Sequence, residues 1–202
     1  LIQINKNNEI YKESFQHKAY ILRKAFCELR NELLKGIGIN VKDTNMTNID
    51  GAIIRQLKIN SDSRGYLMEI LRSDSESYIG FGQAYISSCY PGVVKAWHCH
   101  EKQTDHFCCI EGNALVALHD DREDSPTYGN VYHSTIGMLN QVSITIPPGV
   151  WHGMAAVGNE KSVMLNIPNL PYNQKNPDEL RAPPYKYGGI DFSWDNIGKE
   201  EQ

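Results

Sequence analysis

The chain has 202 residues, 41% of them hydrophobic and 22% charged, a balance found in globular domains rather than in disordered or membrane-embedded chains. Lys plus Arg number 20 against 24 Asp plus Glu, a net charge of −4, so no basic excess exists to neutralise a nucleic-acid backbone. No apolar run approaches the roughly 20 residues of a membrane helix, and the five cysteines lack zinc-type spacing. With no signal-peptide pattern at the start, the expectation is a cytoplasmic protein with reduced thiols, one core-forming domain and no nucleic-acid or membrane partner.

From Asn7 to Lys35 the apolar residues Tyr11, Phe15, Leu22, Phe26, Leu29 and Leu33 recur at helical spacing, and Gly36 follows where a helix stop belongs. A helix of that length would span roughly 43 Å, too long for one small sheet face to cover. It reads as an amphipathic arm packed on its own domain or a partner subunit, or as a partner-recruiting helix. Asn40 to Asn48, rich in Asn, Asp and Thr, reads as a linker.

After Gly51 the texture changes to short runs dominated by β-branched and aromatic residues. They are Ala52–Ile59, Tyr66–Leu71, Ala84–Tyr90, Val93–His98, Phe107–Ile110, Ala114–His119, Val131–Ile136, Val142–Ile146 and Val163–Ile167, separated by turn clusters such as Glu111-Gly112-Asn113 and Pro147-Pro148-Gly149. Many short strands at regular spacing predict a sandwich or barrel. The proline-rich stretch from Pro168 to Gly189 reads as irregular surface chain. The division is therefore 1–48 helical arm and linker, 49–195 barrel with closing segment, and 196–202 tail.

No nucleophile elbow, Walker loop or C-x-x-C is present. The chemistry-bearing residues gather in two blocks. In the first, His98 and His100 are i and i+2 on a strand, so both imidazoles point to one face, and Asp105 follows after a short turn. In the second, Pro147-Pro148-Gly149-Val150-Trp151-His152 delivers a third imidazole after a tight turn. Three imidazoles and a carboxylate converging inside a barrel suit one divalent transition metal such as zinc, iron, nickel or manganese. His106 reads as packed or exposed rather than liganding, His119 and His133 as ordinary strand residues, and Cys99, Cys108 and Cys109 as fillers of barrel space.

The glycine-framed H-x-H block and the P-P-G-x-x-H block resemble the two signature motifs of the cupin superfamily, small jelly-roll barrels. A narrower resemblance covers residues about 50 to 195. Asp62-Ser63-Arg64-Gly65-Tyr66-Leu67-Met68-Glu69, Val94-Lys95-Ala96-Trp97-His98, Asp120 with Ser125-Pro126-Thr127-Tyr128-Gly129, and Pro147 to Gly153 are similar, in order, to segments of the dTDP-4-dehydrorhamnose 3,5-epimerases. That resemblance implies an all-β, cupin-type double-stranded β-helix. It also implies a homodimer and proton abstraction beside the C4 ketone of a nucleotide-linked 4-keto-6-deoxy sugar.

His98 falls on the family's base position, while Arg64, Glu69 and Lys95 fall on substrate-contacting ones. Ser162–Ile167, where the family carries its tyrosine acid, contains none, and Leu165 takes that place. Tyr172 is expected among the substrate-binding residues, and water or a shifted tyrosine such as Tyr172 would have to supply the proton, or the reaction would stop at single-centre exchange. The orienting aspartate has no counterpart in Tyr185-Lys186-Tyr187, and Asp105 stands where the epimerases carry a lysine. Nucleotide-sugar 3,4-ketoisomerases share an H-x-H segment and act without metal, so His98, His100, Asp105 and His152 are a candidate metal set, not an assigned one. Two rival functions stay open: a metal-dependent cupin enzyme acting on another small molecule, and a catalytically silent sugar-binding cupin.

Overall fold

The computed structural model describes residues 45–185 and 189–196. The expected helical arm over Asn7–Lys35 lies outside the described residues. Thirteen strands are formed among the described residues: β1 Asn45–Met46, β2 Ile53–Gln56, β3 Ile59–Asp62, β4 Gly65–Met68, β5 Tyr85–Cys89, β6 Val94–Cys99, β7 Asp105–Glu111, β8 Asn113–Asp120, β9 Val131–Gly137, β10 Val142–Ile146, β11 Val150–Ala156, β12 Ser162–Asn166 and β13 Leu180–Arg181. A 3₁₀ turn, Trp194–Asn196, follows them.

Two antiparallel sheets hold eleven of these strands, a six-stranded one in the order β1-β2-β10-β7-β12-β5 and a five-stranded one in the order β13-β6-β11-β8-β9. β3 and β4 make a separate hairpin. This is the two-sheet, all-β architecture of a cupin jelly roll.

Strand alternation decides what each face buries. Ala114, Val116 and Leu118 of β8 and Val150 and Met154 of β11 join Phe107, Ile144, Ile146 and Met164 of the six-stranded sheet in the main core between the sheets. The residues between them, Ala117 on β8 and Trp151 and Ala155 on β11, enter a second cluster with Trp97, Cys99 and Trp194. That cluster lies on the outer face of the five-stranded sheet. There Trp97 meets Trp194 and Phe192 at ring-centroid separations of 5.1 and 5.9 Å, and the closing segment is thereby clamped to the barrel.

The described end of the Asn40–Asn48 linker stretch carries β1, where Asn45 and Met46 pair with Ile54 and Ile53. The Ala52–Ile59 run divides into β2 and β3 at Leu57-Lys58. Leu57 there turns into the interior and its N–H donates to the Gln141 carbonyl at 2.8 Å. The proline-rich segment is irregular as expected, except that Leu180 and Arg181 add β13 to β6. Cys89, Cys99, Cys108 and Cys109 are buried and free, and burial pushes the Cys99 and Cys108 thiols up to about 11, so they pack as small apolar groups. Among the described residues no helix is long and apolar enough to cross a membrane.

The Asp120…Ser125-Pro126-Thr127 segment is a structural staple. Asp120 is fully buried, and its carboxylate accepts from Arg122 Nε at 2.8 Å, Ser125 Oγ at 2.5 Å and Thr127 Oγ1 at 2.6 Å. Removing one partner of such a set strands the others. Asp120→Ala is expected to cost about 3 kcal/mol in chemical denaturation, and a loss near zero would contradict the assignment.

Candidate functional site

A cavity of about 770 Å³ opens between the two sheets, with His98 and Lys95 on one wall and Tyr85, Met164 and Asn166 on the other. His98 and His100 line it and belong to a histidine–aspartate cluster whose other members, Asp105 and His152, lie outside the lining. His98 lies on β6 and His152 opposite it on β11, where they are cross-strand partners with ring centroids 3.9 Å apart. His100 follows β6 directly, and Asp105 opens β7. One ligand atom from each of these four residues lies within 4.8 Å of the others, so the predicted convergence is present as geometry.

The backbone fixes how the rings face. Gly149, at φ +79°, turns β10 into β11, and its N–H donates to the His100 carbonyl at 2.7 Å, which ties the P-P-G turn to the end of the H-x-H strand. His152 Nδ1 faces the Val150 carbonyl at 2.9 Å, and His100 Nδ1 faces the Asp178 carbonyl. A carbonyl only accepts, so both Nδ1 atoms carry hydrogen. Both Nε2 atoms are thereby turned onto one oxygen, Asp105 Oδ2, at 3.1 Å from His152 and 3.3 Å from His100. Gln103 Nε2 donates to the other carboxylate oxygen at 2.8 Å.

The charge states follow from these contacts. Burial works against the Asp105 charge, but the hydrogen bonds to His100 and His152 outweigh it and hold the carboxyl well below its usual range. Burial would lower His100 too, yet Asp105 outweighs it and His100 is raised. His98 is the opposite case: burial, then the neighbouring His152, hold it well below the ordinary imidazole value, so it is neutral at neutral pH. Asp105 hydrogen-bonds His100 and His152 rather than His98.

Other predicted residues are placed as follows. Lys95 lines the cavity, and its Nζ donates to Ser87 Oγ on β5 at 3.1 Å, bridging the two sheets. Tyr172 lines the cavity from the irregular segment. Arg64 and Glu69 do not reach it: Arg64 is paired with Asp62 at 2.6 Å at the tip of the β3–β4 hairpin, and Glu69 with Arg72 at 2.8 Å. Met164 and Asn166 face the cavity, so Leu165 between them points to the opposite face of the sheet. His106 is buried as a packing residue, its Nδ1 3.0 Å from Thr145 Oγ1.

Comparison with known proteins now settles the family. The profile of dTDP-4-dehydrorhamnose 3,5-epimerase matches residues 46–194. The chain belongs to the dTDP-4-dehydrorhamnose 3,5-epimerase family. The "Probable low-salt glycan biosynthesis epimerase Agl13" of Haloferax volcanii is 47% identical over 140 residues, which cover 68% of this chain and 90% of that one. The spore coat polysaccharide biosynthesis protein SpsL of Bacillus subtilis is 40% identical over 146 residues, covering 72% and 96% respectively. A crystal structure of a dTDP sugar isomerase from Desulfovibrio desulfuricans is 35% identical and superposes with a TM-score of 0.69, over 74% of this chain and 94% of that one. The family is one of dTDP-sugar epimerases and isomerases, and the fold is its jelly roll.

Within this epimerase-family barrel, several site residues carry no local sequence signal. Asp178 is the clearest: its carboxylate accepts the backbone N–H groups of Glu101, Lys102 and Gln103 at 3.0, 3.0 and 2.9 Å, holding the loop between His100 and Asp105. Gln103, Asn166, Glu179 and Arg181 likewise belong to no recognisable motif. Arg181 pairs with Glu179 at 2.8 Å at the cavity wall, across from His98 in strand register.

Proposed function

We propose that this protein is an epimerase or isomerase of a nucleotide-linked 4-keto-6-deoxy sugar, with His98 as the base. The observation that carries the reading is a neutral imidazole on the wall of a sugar-sized cavity in a chain of this family. A base must be unprotonated to accept, and burial supplies that state. His98 removes a proton from the carbon beside the C4 ketone, and the electron pair moves into an enolate. Lys95 and Arg181 are the cavity's cations, suited to the diphosphate or the developing oxyanion.

Incubation with a dTDP-4-keto-6-deoxy sugar in deuterium oxide tests this. Deuterium should enter C3 or C5, and His98→Asn should slow uptake by roughly 10²–10⁴-fold. Because His98 is held below the ordinary imidazole value, the acid limb of kcat/KM should lie below about pH 6.5 rather than at it. No uptake by folded protein would end the enolisation reading and leave the metal-dependent cupin or the silent sugar binder.

A second reading is favoured by one observation, the two fixed tautomers. Both Nε2 atoms face one carboxylate oxygen, an arrangement that requires hydrogen or a cation between them: protons on the ring nitrogens, or a divalent ion held by His98, His100, Asp105 and His152. The donor set fits zinc, iron, nickel or manganese, and a bound ion would supply Lewis-acid stabilisation of an oxyanion. The readings assign His98 different work, so metal content separates them. If the ion is resident, elemental analysis should find about one equivalent, reduced in Asp105→Ala. Protein that holds none and takes up none from added salts would remove this reading.

For Arg64 and Glu69 we propose a role in the cavity of a second copy in a cytoplasmic homodimer. The β3–β4 hairpin exposes Tyr66 and Leu67, and the edge strand β5 exposes Ile86 at 66%. A dimeric mass is expected at micromolar concentration, and a monomer would contradict the proposal.

A further inference from the structure

The cavity wall opposite His98 carries a tyrosine that no sequence motif marks. Tyr85 opens β5, the edge strand of the six-stranded sheet, whereas His98 stands on the five-stranded sheet. Both line the one cavity, so a ligand between the sheets meets them from opposite sides.

The phenol oxygen is held in place. Tyr85 is the cross-strand partner of Asn166 on β12, and Asn166 Nδ2 donates to the Tyr85 hydroxyl at 2.9 Å. The direction of that bond is set by the other end of the amide. Asn166 Oδ1 accepts the His106 backbone N–H at 3.1 Å, and a backbone N–H can only donate, so the amide nitrogen is the end turned to Tyr85. Asn166 is 2% exposed, which leaves its amide no alternative partner in solvent. A phenol oxygen that accepts this bond keeps its own proton available to whatever occupies the cavity.

We propose that Tyr85 is the general acid that delivers a proton to the enolate on the face opposite His98, inverting the configuration at that carbon. This rests on the epimerase reading above. His98 breaks the C–H bond beside the ketone and becomes an imidazolium, while the electron pair enters the enolate. The enolate carbon then forms a new C–H bond with the Tyr85 proton, leaving a phenolate. Solvent protonates the phenolate and the imidazolium returns its proton to water, so the cycle closes with no other reagent. Burial, and after it the Asp105 charge, raise the Tyr85 pKa, which keeps the proton in place until a strong base such as an enolate arrives.

Tyr172 is the other tyrosine on the cavity wall; it comes from the irregular segment and is 54% exposed, against 41% for Tyr85. What sets Tyr85 apart is its place on a strand and the anchoring of its hydroxyl to the neighbouring strand through Asn166.

The experiment follows two products in deuterium oxide, deuterium incorporation beside the ketone and formation of the inverted sugar, both by NMR. In Tyr85→Phe, with folding checked by circular dichroism, incorporation should stay within about threefold of wild type while inversion falls about 100-fold. Asn166→Ala, which frees the phenol, should lower inversion by about tenfold. Inversion at the wild-type rate in Tyr85→Phe overturns the inference alone, as does its loss in Tyr172→Phe with Tyr85→Phe unaffected. Equal loss of incorporation and inversion in Tyr85→Phe also overturns it, since that is the mark of a binding role. A wild-type protein that incorporates no deuterium overturns the epimerase reading, and the inference with it.

Discussion

Asp105 is 1% exposed, and a carboxylate that deep between two sheets keeps its charge only if donors surround it. The local architecture meets that demand from three directions: Gln103 from the preceding loop, His100 from the end of β6 and His152 from β11. Each of these is in turn anchored to the main chain. Val150 fixes the His152 ring, Asp178 fixes both the His100 ring and the loop holding Gln103, and Gly149 binds the His100 carbonyl. A shift of any one strand would unpair a buried charge, so the cluster locks the relative register of β6, β7 and β11.

That lock explains the division of labour in the cavity. Asp105 contacts His100 and His152, and His98 is left outside that pairing, next to the His152 ring rather than a carboxylate. Its neutrality comes from surroundings built by its neighbours. The opposite wall is hydrogen-bonded in its own right, through the His106–Asn166–Tyr85 relay. The two walls are joined at the Lys95–Ser87 contact. The barrel thus presents two separately stiffened faces to one cavity.

What was legible in the sequence was short-range. H-x-H and P-P-G-x-x-H specify side-chain direction within a few residues, because strand pleat and turn geometry act over that distance. The strand runs were legible for the same reason, through alternation. The D-x-R-G opening was legible as a motif, but the structure places Arg64 against Asp62 and away from its own cavity. Asn166 and Tyr85 are 81 positions apart, and Asp178 is 78 from His100. No spacing rule links such residues, since their meeting depends on which strands become neighbours. β5 beside β12 is such a pairing: Tyr172 follows β12 in the chain, whereas Tyr85 meets it only across the ladder.

The central claim is that a sugar ring sits between His98 and the β5 wall. A crystal structure with a dTDP-linked 6-deoxyhexose bearing a hydroxyl at C4, which cannot enolise, tests it most directly. The account predicts C3 or C5 roughly 3–3.5 Å from a ring nitrogen of His98, the distance of a near-attack arrangement, with the Tyr85 hydroxyl on the other face of the ring. A hexose bound outside the cavity, or one with both His98 and Tyr85 on the same face, would contradict it.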